Sequence, residues 1–243
     1  MYTLLKKEIN SFFSSLTGYI VIIVFLIVNG LFMWVFPGNN NVLDGGYATL
    51  DSLFTIAPWI FLFLAPAITM RLFADEKRLG TIELLLTRPL SDFQIILAKY
   101  LAGLILVIFS LLPTLIYFYS VYQLGNPVGS IDTGGTWGSY IGLFFLAAIY
   151  VAIGVLSSSF SDNQIIAFIV GMLICFVTYI GFDFISELSL FKSFDTVIIN
   201  LGINEHYKSM SRGVIDSRDI IYFVSVIAFF LLITKTILQS RKW

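Results

Sequence analysis

Six stretches of apolar residues, separated by short polar stretches, follow one another along the chain. A membrane-spanning helix needs about 20 predominantly apolar residues, and each stretch meets or approaches that length. The first five contain no charged residue, and the sixth contains only Lys235, near its end, where a lysine side chain can reach the headgroups. The pattern predicts an all-α membrane protein with six spans, at about 19–36, 53–70, 100–122, 138–160, 165–182 and 220–238.

The residues before the first span have the period of an amphipathic helix. The apolar face holds Leu4, Leu5, Ile9, Phe12 and Phe13, and the polar face holds Lys6, Lys7 and Asn10. We expect residues 1–18 to form an interfacial helix that lies in the membrane surface before the chain turns inward. The alternative is a cytoplasmic tail that happens to be apolar. Since the first span ends without a small-residue cleavage site, we expect it to be retained.

The loops are rich in turn-forming residues, and two of them predict further structure. Ser161 and Gln164 have the spacing of a capping box, which predicts that the fifth span begins there. The segment 186–219 is too short for a folded domain of its own. Its apolar residues recur at roughly helical spacing, at Phe191, Phe194, Val197, Ile198 and Leu201. We therefore expect an outer loop whose helix lies half sunk in the interface.

The apolar pattern breaks into a charged hinge, residues 71–99, between the second and third spans. Residues 71–78 should continue the second span as a charged helix. Gly80 then allows a sharp turn, because glycine accepts backbone angles that other residues resist. Residues 75–78 carry two acidic side chains followed by two basic ones. As exposed pairs, these charges would hold the helix in register, at about 0–1 kcal/mol each.

A short apolar run, residues 82–86, follows the turn and carries one carboxylate, Glu83. Apolar surface of this kind must be buried against lipid or against another protein. Ser91 and Gln94 have capping-box spacing, which predicts the start of the next helix. The hinge therefore suits a protein on which a cytoplasmic partner acts. The alternative is a re-entrant elbow buried within the chain's own bundle.

The distribution of Lys and Arg predicts the orientation. With six spans, both termini and the loops after the second and fourth spans share one side, and that side holds ten of the 14 basic residues. The other four lie together in the segment 186–219. We expect a multi-pass protein of the plasma (inner) membrane with both termini and residues 71–99 in the cytoplasm.

The composition agrees with a membrane protein and limits the kinds of partner and binding site that the chain can have. With 58% hydrophobic residues, 12% charged residues and a mean hydropathy of +0.92, the chain is too apolar for a soluble domain. A net charge of −1 gives no reason to expect a nucleic-acid partner. The single cysteine, Cys175, excludes an internal disulfide, and the single histidine, His206, argues against a zinc or haem site.

No catalytic motif is present in the sequence. It has no phosphate-binding loop of the Walker type, no Gly-x-Ser-x-Gly elbow and no His-Glu-x-x-His zinc motif. We expect no catalytic, cofactor-binding or metal-binding residues, and no ATP hydrolysis by the chain alone. The spans offer only Asn29, a few hydroxyl groups and, marginally, Asp183 as polar groups. This scarcity argues against an ion-coupled carrier, which needs titratable groups inside the bilayer.

The hinge resembles the permease subunits of type-2 ABC transporters. That family shows an acidic and basic stretch, then Gly-Thr-x-Glu-Leu-Leu, then a proline, a hydroxyl residue and a lysine at the next span. Here residues 75–89 read Asp-Glu-Lys-Arg-Leu-Gly-Thr-Ile-Glu-Leu-Leu-Leu-Thr-Arg-Pro, followed by Ser91 and Lys99. The resemblance covers the whole six-span layout. Towards the C-terminus, residues 206–216 and 218–222 are most similar to gliding-motility-associated permeases of the GldF type.

The resemblance implies a set of partners and site residues. Two permease subunits, identical or different, would pair, each docked on a cytoplasmic ATPase subunit whose closure moves the hinge. The gliding-motility type would work with a separate ATPase and a second, larger membrane partner. The residues that couple to the ATPase would be Gly80, Thr81, Glu83, Leu85, Arg88 and Pro89. The connecting helix would contain Arg71, Asp75, Glu76, Lys77 and Arg78.

We interpret residues 1–243 as a single transmembrane permease domain in the lipid bilayer, driven by a partner ATPase. The rival interpretation is a membrane scaffold or mechanical transducer that uses ATPase strokes without moving a substrate. Since the spans show no evident polar pocket, the sequence leaves both interpretations open, and it fixes no substrate.

The orientation gives a first testable prediction. Charge bias places Lys77 in the cytoplasm and Lys208 outside. Single cysteines at these positions, in a Cys175→Ser background, should therefore label from opposite sides with an impermeant thiol reagent. The background protein without either cysteine should stay unlabelled. Labelling of both positions from the same side of the membrane would contradict the six-span arrangement.

Overall fold

A computed structural model of the protein describes residues 1–83, 90–187 and 195–240. Within these ranges the regular structure is helical and there is no strand, which confirms the all-α prediction. The helices are α1 (Tyr2–Phe13), α2 (Leu16–Gly30), α3 (Val42–Gly45), α4 (Asp51–Thr69), α5 (Arg71–Arg78), α6 (Asp92–Leu111), α7 (Leu115–Leu124), α8 (Thr133–Phe160), α9 (Gln164–Phe176), α10 (Phe182–Glu187), α11 (Asp195–Ile199), α12 (Ile203–Met210) and α13 (Ser217–Ser240).

Six helical runs are long and apolar enough to cross a membrane, which confirms the predicted number of spans. Two π-helical turns, Leu31–Val35 and Val177–Gly181, extend α2 and α9. A 3₁₀ turn, Leu112–Thr114, joins α6 to α7 at Pro113, whose ring removes a helical hydrogen-bond donor. The runs are Gly18–Val35, Asp51–Arg78, Asp92–Leu124, Thr133–Phe160, Gln164–Glu187 and Ser217–Ser240.

The fourth span, α8, is the helix around which the bundle is arranged. In its most apolar 18-residue window 83% of the residues are buried, and it packs against α4, α6, α9 and α13. Two glycines allow close approach: Gly142 faces Met210 and Gly154 faces Thr69, each too near for a Cβ atom. Because lipid tails are as apolar as the side chains, close packing of this kind drives helix association in a bilayer.

The N-terminal segment is helical, and its apolar face packs against α6 and α2. This helix ends at Phe13, earlier than the predicted range 1–18, because the chain turns at Ser15 and α2 begins at Leu16. Leu4 and Phe12 are buried, as the periodicity indicates, but Glu8 lies buried between them on the same face. The apolar face of α1 therefore contains a carboxylate.

One predicted helix start is confirmed and one is wrong. The Ser91 hydroxyl accepts from the Gln94 N–H at 3.3 Å, and the Gln94 side chain accepts from the Ser91 N–H at 3.1 Å, a complete capping box. The cap of α9 is Asn163 rather than Ser161: its Oδ1 accepts from the Ile165 N–H at 2.9 Å. Asn163 directly precedes the first helical residue, so its short side chain reaches the unpaired N–H of the first turn.

At the end of the bundle opposite α5, residues 195–216 form what we call the outer cap, a name that follows the predicted orientation. It contains two short helices, α11 and α12, where the sequence predicts one half-sunk helix; Phe191 and Phe194 lie outside the described residues. The buried Tyr207 of α12 donates its hydroxyl to the Phe54 carbonyl at 2.6 Å, and Ser139 donates to the Ser211 carbonyl at 2.8 Å. The cap is thus hydrogen-bonded to α4 and α8.

The packing of α8 against α4 gives a stability prediction. A Cβ at Gly154 would overlap Oγ1 of Thr69, which is fixed by a 2.8 Å hydrogen bond to the Ala65 carbonyl. We expect Gly154→Ala to destabilise the protein by about 1–3 kcal/mol, the usual range for overpacking. The measurement is the thermal unfolding midpoint in detergent micelles.

Gly134→Ala is the matched control, because it makes the same change in the same helix. Its Cβ would meet only Asp132 Oδ1, at an ordinary 3.6 Å, so the change should be neutral or slightly stabilising. Equal unfolding midpoints for the two variants would contradict the close approach of α8 and α4.

Candidate functional site

The charged part of the hinge forms α5, which follows α4 after a turn at Met70. Its buried face holds Leu72, Phe73, Ala74 and Glu76. The helix ends before Gly80, which has φ +68°, the left-handed conformation that a sharp turn requires. The predicted charged helix over residues 71–78 is therefore present, although a turn at Met70 separates it from α4.

A fully buried lysine, Lys99 on α6, lies between α1 and α5. Its ammonium donates to Glu8 Oε1 at 3.0 Å and to the Leu72 carbonyl at 2.6 Å. It also forms an ion pair with Glu76 Oε2 at 2.9 Å, although this contact lacks hydrogen-bond geometry and leaves Oε2 without a hydrogen-bond donor. A buried ammonium without such partners would be very costly, so these contacts decide where α1 and α5 can lie.

A second lysine, Lys7, completes what we call the charge cluster (Lys7, Glu8, Glu76 and Lys99). Its ammonium lies 3.2 Å from Glu76 Oε1 and 3.7 Å from Glu8 Oε1. Burial lowers the pKa of Lys7, but the two carboxylates outweigh this effect and raise its pKa above the ordinary 10.5. Two ammonium and two carboxylate groups balance each other, and the cluster joins α1, α5 and α6.

The other side of α5 is held by a serine of α8. The Ser158 hydroxyl accepts from the N–H groups of Phe73 and Ala74, at 2.9 and 3.1 Å, and donates to the Met70 carbonyl at 2.9 Å. The first N–H groups of a helix have no partner within the helix, so a side chain from outside must satisfy them. Ser158 thus fixes the start of α5 to the central span.

Two more side chains of α5 reach neighbouring spans. The Lys77 ammonium donates to the Ser159 carbonyl at the end of α8, and the Gln164 amide, at the start of α9, donates to Asp75. α5 is therefore held by polar contacts from four helices, α1, α6, α8 and α9.

Arg71 lies at the junction of α5 with the turn between α1 and α2. Its guanidinium donates to the Ser15 hydroxyl at 2.9 Å and lies 4.4 Å from the centre of the Phe12 ring, a cation–π distance. This contact attaches the start of the first span to the same helix.

The expectation that residues 75–78 form exposed charge pairs is wrong for Glu76. Only 9% of Glu76 is exposed, because α1 folds over this face of α5. The Asp75–Arg78 pair, at 3.0 Å, fits the expectation of a contact within the helix. Of the five predicted connecting residues, only Arg78 shows no side-chain hydrogen bond or ion pair to another helix among the described residues.

The predicted ATPase-coupling residues divide into two groups. Gly80, Thr81 and Glu83 are described, and all three are exposed. The Thr81 hydroxyl donates to the Glu76 carbonyl at 3.4 Å, while Ile82 is partly buried against the core. The remaining three, Leu85, Arg88 and Pro89, lie outside the described residues.

No role for Glu8 or Ser158 is predicted from the sequence, and the predicted spans place Lys99 in the hinge rather than in the third span. A signal for Glu8 was present: Leu4, Glu8 and Phe12 are four residues apart and share one helical face. A carboxylate on an apolar stripe predicts a buried cationic partner. No comparable signal marks Ser158, which lies in a run of three serines at the end of an apolar span.

A second feature is an apolar groove of about 680 Å³ between α2, α4 and α9. Its lining is apolar throughout and includes Ile20, Val24, Phe32, Trp59, Phe63 and Phe168. It can accept an acyl chain or an apolar helix, but it offers no side-chain hydrogen bonds. No group of His, Cys, Asp or Glu that could hold a metal ion occurs within the described ranges.

Comparisons with known proteins show the family to which the chain belongs. Residues 2–239 match the family described as ABC-2 family transporter protein. Over 109 residues the chain is 35% identical to the uncharacterized protein YhcI of Bacillus subtilis strain 168. That match covers 45% of this chain and 32% of YhcI, so the chain spans about a third of that relative's length. Because the family match covers residues 2–239 of the 243, the chain belongs to the ABC-2 family of transporter membrane proteins.

Proposed function

We propose that the protein is the permease subunit of an ATP-driven transporter and that α5 transmits the movement of a separate cytoplasmic ATPase to the spans. The observation that supports this proposal is the attachment of α5 by ionic and polar contacts to α1, α6, α8 and α9. A helix fixed in this way cannot move without displacing the spans. We place α5 and both termini on the cytoplasmic side of the plasma membrane, in line with the charge bias.

The charge cluster suits transmission better than apolar packing would. Apolar faces can slide past each other with little loss of contact, whereas ion pairs hold only at defined positions. Removing one partner of a buried ion pair typically costs about 3–5 kcal/mol, because the other charge is left uncompensated. With Lys99 fully buried and Glu76 only 9% exposed, this penalty opposes any slip of α5.

The ATPase would dock on the segment that follows the turn at Gly80. Glu83 is exposed there, next to the partly buried Ile82. An exposed carboxylate beside apolar residues suits a groove that supplies a basic side chain, since a desolvated charge pair gives specificity of fit. Leu85, Arg88 and Pro89 would extend this docking surface, as the family motif implies.

A second permease subunit would pair through α2 and α9. Three spans, those of α2, α9 and α13, have only 22% of their most apolar window buried, against 83% for α8, and of these three α2 and α9 border the apolar groove. The apolar groove lies between them, and its lining without polar groups suits a partner embedded in lipid. We therefore place the pairing surface on this side of the bundle.

A finer assignment rests on the resemblance of residues 206–216 and 218–222 to gliding-motility-associated permeases. We propose that the subunit serves that kind of system, with a separate ATPase and a larger membrane partner. The second candidate is a transducer that uses ATPase strokes without moving a substrate, which the apolar lining of the groove favours. ATP-dependent flux in reconstituted vesicles would support transport, whereas ATP turnover without flux would support the transducer.

Glu83 provides the test of ATPase docking. We expect Glu83→Lys to leave the protein in the membrane but to weaken its binding to the ATPase at least tenfold, since a like charge would face the basic partner. The measurement is the amount of ATPase that co-purifies with the tagged permease, together with coupled ATP turnover.

Glu205→Lys is the control for this experiment. It makes the same substitution at an exposed glutamate in the outer cap, far from α5, and should leave both readouts unchanged. If the Glu83→Lys protein retains wild-type co-purification and coupled activity, Glu83 is not part of the docking surface.

A further inference from the structure

A proline lies in the second span, towards the end that faces the outer cap, and the helix nevertheless continues through it. Pro58 is buried within α4, which runs from Asp51 to Thr69. Because proline has no N–H, the carbonyl four residues earlier, that of Phe54, loses its donor within the helix. Phe54 is only 3% exposed, so the missing donor must come from elsewhere in the protein.

The outer cap supplies this donor. The Tyr207 hydroxyl, on α12, donates to the Phe54 carbonyl at 2.6 Å. Tyr207 is buried, and burial raises the pKa of its hydroxyl well above the ordinary 10, so the group keeps its proton and remains a donor. Prolines are tolerated within a span where a neighbouring element satisfies the freed backbone group. Tyr207 meets that condition for Pro58.

The position of Tyr207 is fixed by the packing of the outer cap on α8. Met210, three residues later on the buried side of α12, lies so close to Gly142 that a Cβ atom there would not fit. The Ser211 carbonyl accepts from the Ser139 hydroxyl at 2.8 Å. Tyr207 therefore reaches α4 from a cap that is itself seated on the most buried span.

We infer that Tyr207 is a positioning residue that closes the gap in the hydrogen bonding of α4 at Pro58 and keeps the two parts of the second span in line. Its role in coupling rests on the proposed function, because α4 is the span that leads directly into α5. Without the Tyr207 hydroxyl the span can bend at the proline, where helices kink most readily, and movement of α5 is absorbed there. With it, the same movement reaches the outer cap.

A double-mutant cycle in the full-length chain tests the pairing of Tyr207 with Pro58. Tyr207→Phe leaves the Phe54 carbonyl unsatisfied, and we expect it to lower the unfolding midpoint in detergent micelles by roughly 2–10 °C. Pro58→Ala restores the N–H of residue 58. In that background the loss of the hydroxyl should lower the midpoint by less than half as much, because the carbonyl has a donor within the helix.

Pro66→Ala is the matched control for the cycle. It removes the other proline inside α4, eight residues further along, and frees a different carbonyl. Since changes at well-separated sites add, Tyr207→Phe should have its full effect in the Pro66→Ala background. Equal effects of Tyr207→Phe in the two proline backgrounds would overturn the pairing.

The alignment of the second span needs its own measurement. Spin labels at Asp51 and Leu79, both exposed, lie on either side of Pro58 in a Cys175→Ser background. In lipid vesicles the otherwise wild-type protein should give one narrow distance, and Tyr207→Phe should give a broader or shifted distribution. An unchanged distribution in Tyr207→Phe would overturn the inference.

The proline variants separate this role from a general loss of packing. Adding Pro58→Ala to Tyr207→Phe should narrow the distribution again, whereas adding Pro66→Ala should not. A distribution that Pro58→Ala fails to narrow would contradict the role of Tyr207. Both experiments use the permease alone, so their outcome is independent of ATPase docking, which Glu83→Lys tests.

Discussion

A lysine ammonium buried in a helix bundle must be surrounded by anionic and carbonyl partners, and Lys99 imposes this requirement on the end of the bundle that contains α5. Glu8 comes from α1, and Glu76 and the Leu72 carbonyl come from α5. A slip of either helix by one turn, about 5.4 Å, would separate the charges. The positions of α1, α5 and α6 relative to one another therefore follow from one buried cation.

The consequence for function is that α5 is attached to the spans and moves together with them. Ser158 attaches its start to α8, the most buried span, and Arg71 attaches it to the beginning of α2. Force applied to the segment after Gly80 would therefore reach the first, third and fourth spans together. At the other end, a 2.7 Å contact joins His206 Nδ1 of the outer cap to Asp219 Oδ1 at the start of the sixth span. Polar contacts thus join helices at both ends of the bundle, while apolar packing fills the middle.

Much of the fold follows from simple patterns, because lipid forces a helix to satisfy its own backbone. Apolar runs predict six spans, Gly80 predicts a turn, and Ser91 predicts a helix start; all three are observed. The charge cluster is harder to predict, because a charged residue in a sequence is normally expected to face solvent. Glu8 is buried only because Lys99, 91 positions later, lies against it, and such a pairing is invisible to local periodicity.

The central claim is that α1 and α5 move as one body when the ATPase binds ATP. The most direct measurement places spin labels at Ser11 and Leu79, both exposed, in the assembled transporter with and without a non-hydrolysable nucleotide. For the otherwise wild-type protein we predict one narrow distance that the nucleotide does not change, and for Lys99→Met a distribution that broadens or shifts when nucleotide binds. A nucleotide-dependent distance in the wild-type background, or an unaltered distribution in Lys99→Met, would contradict the account.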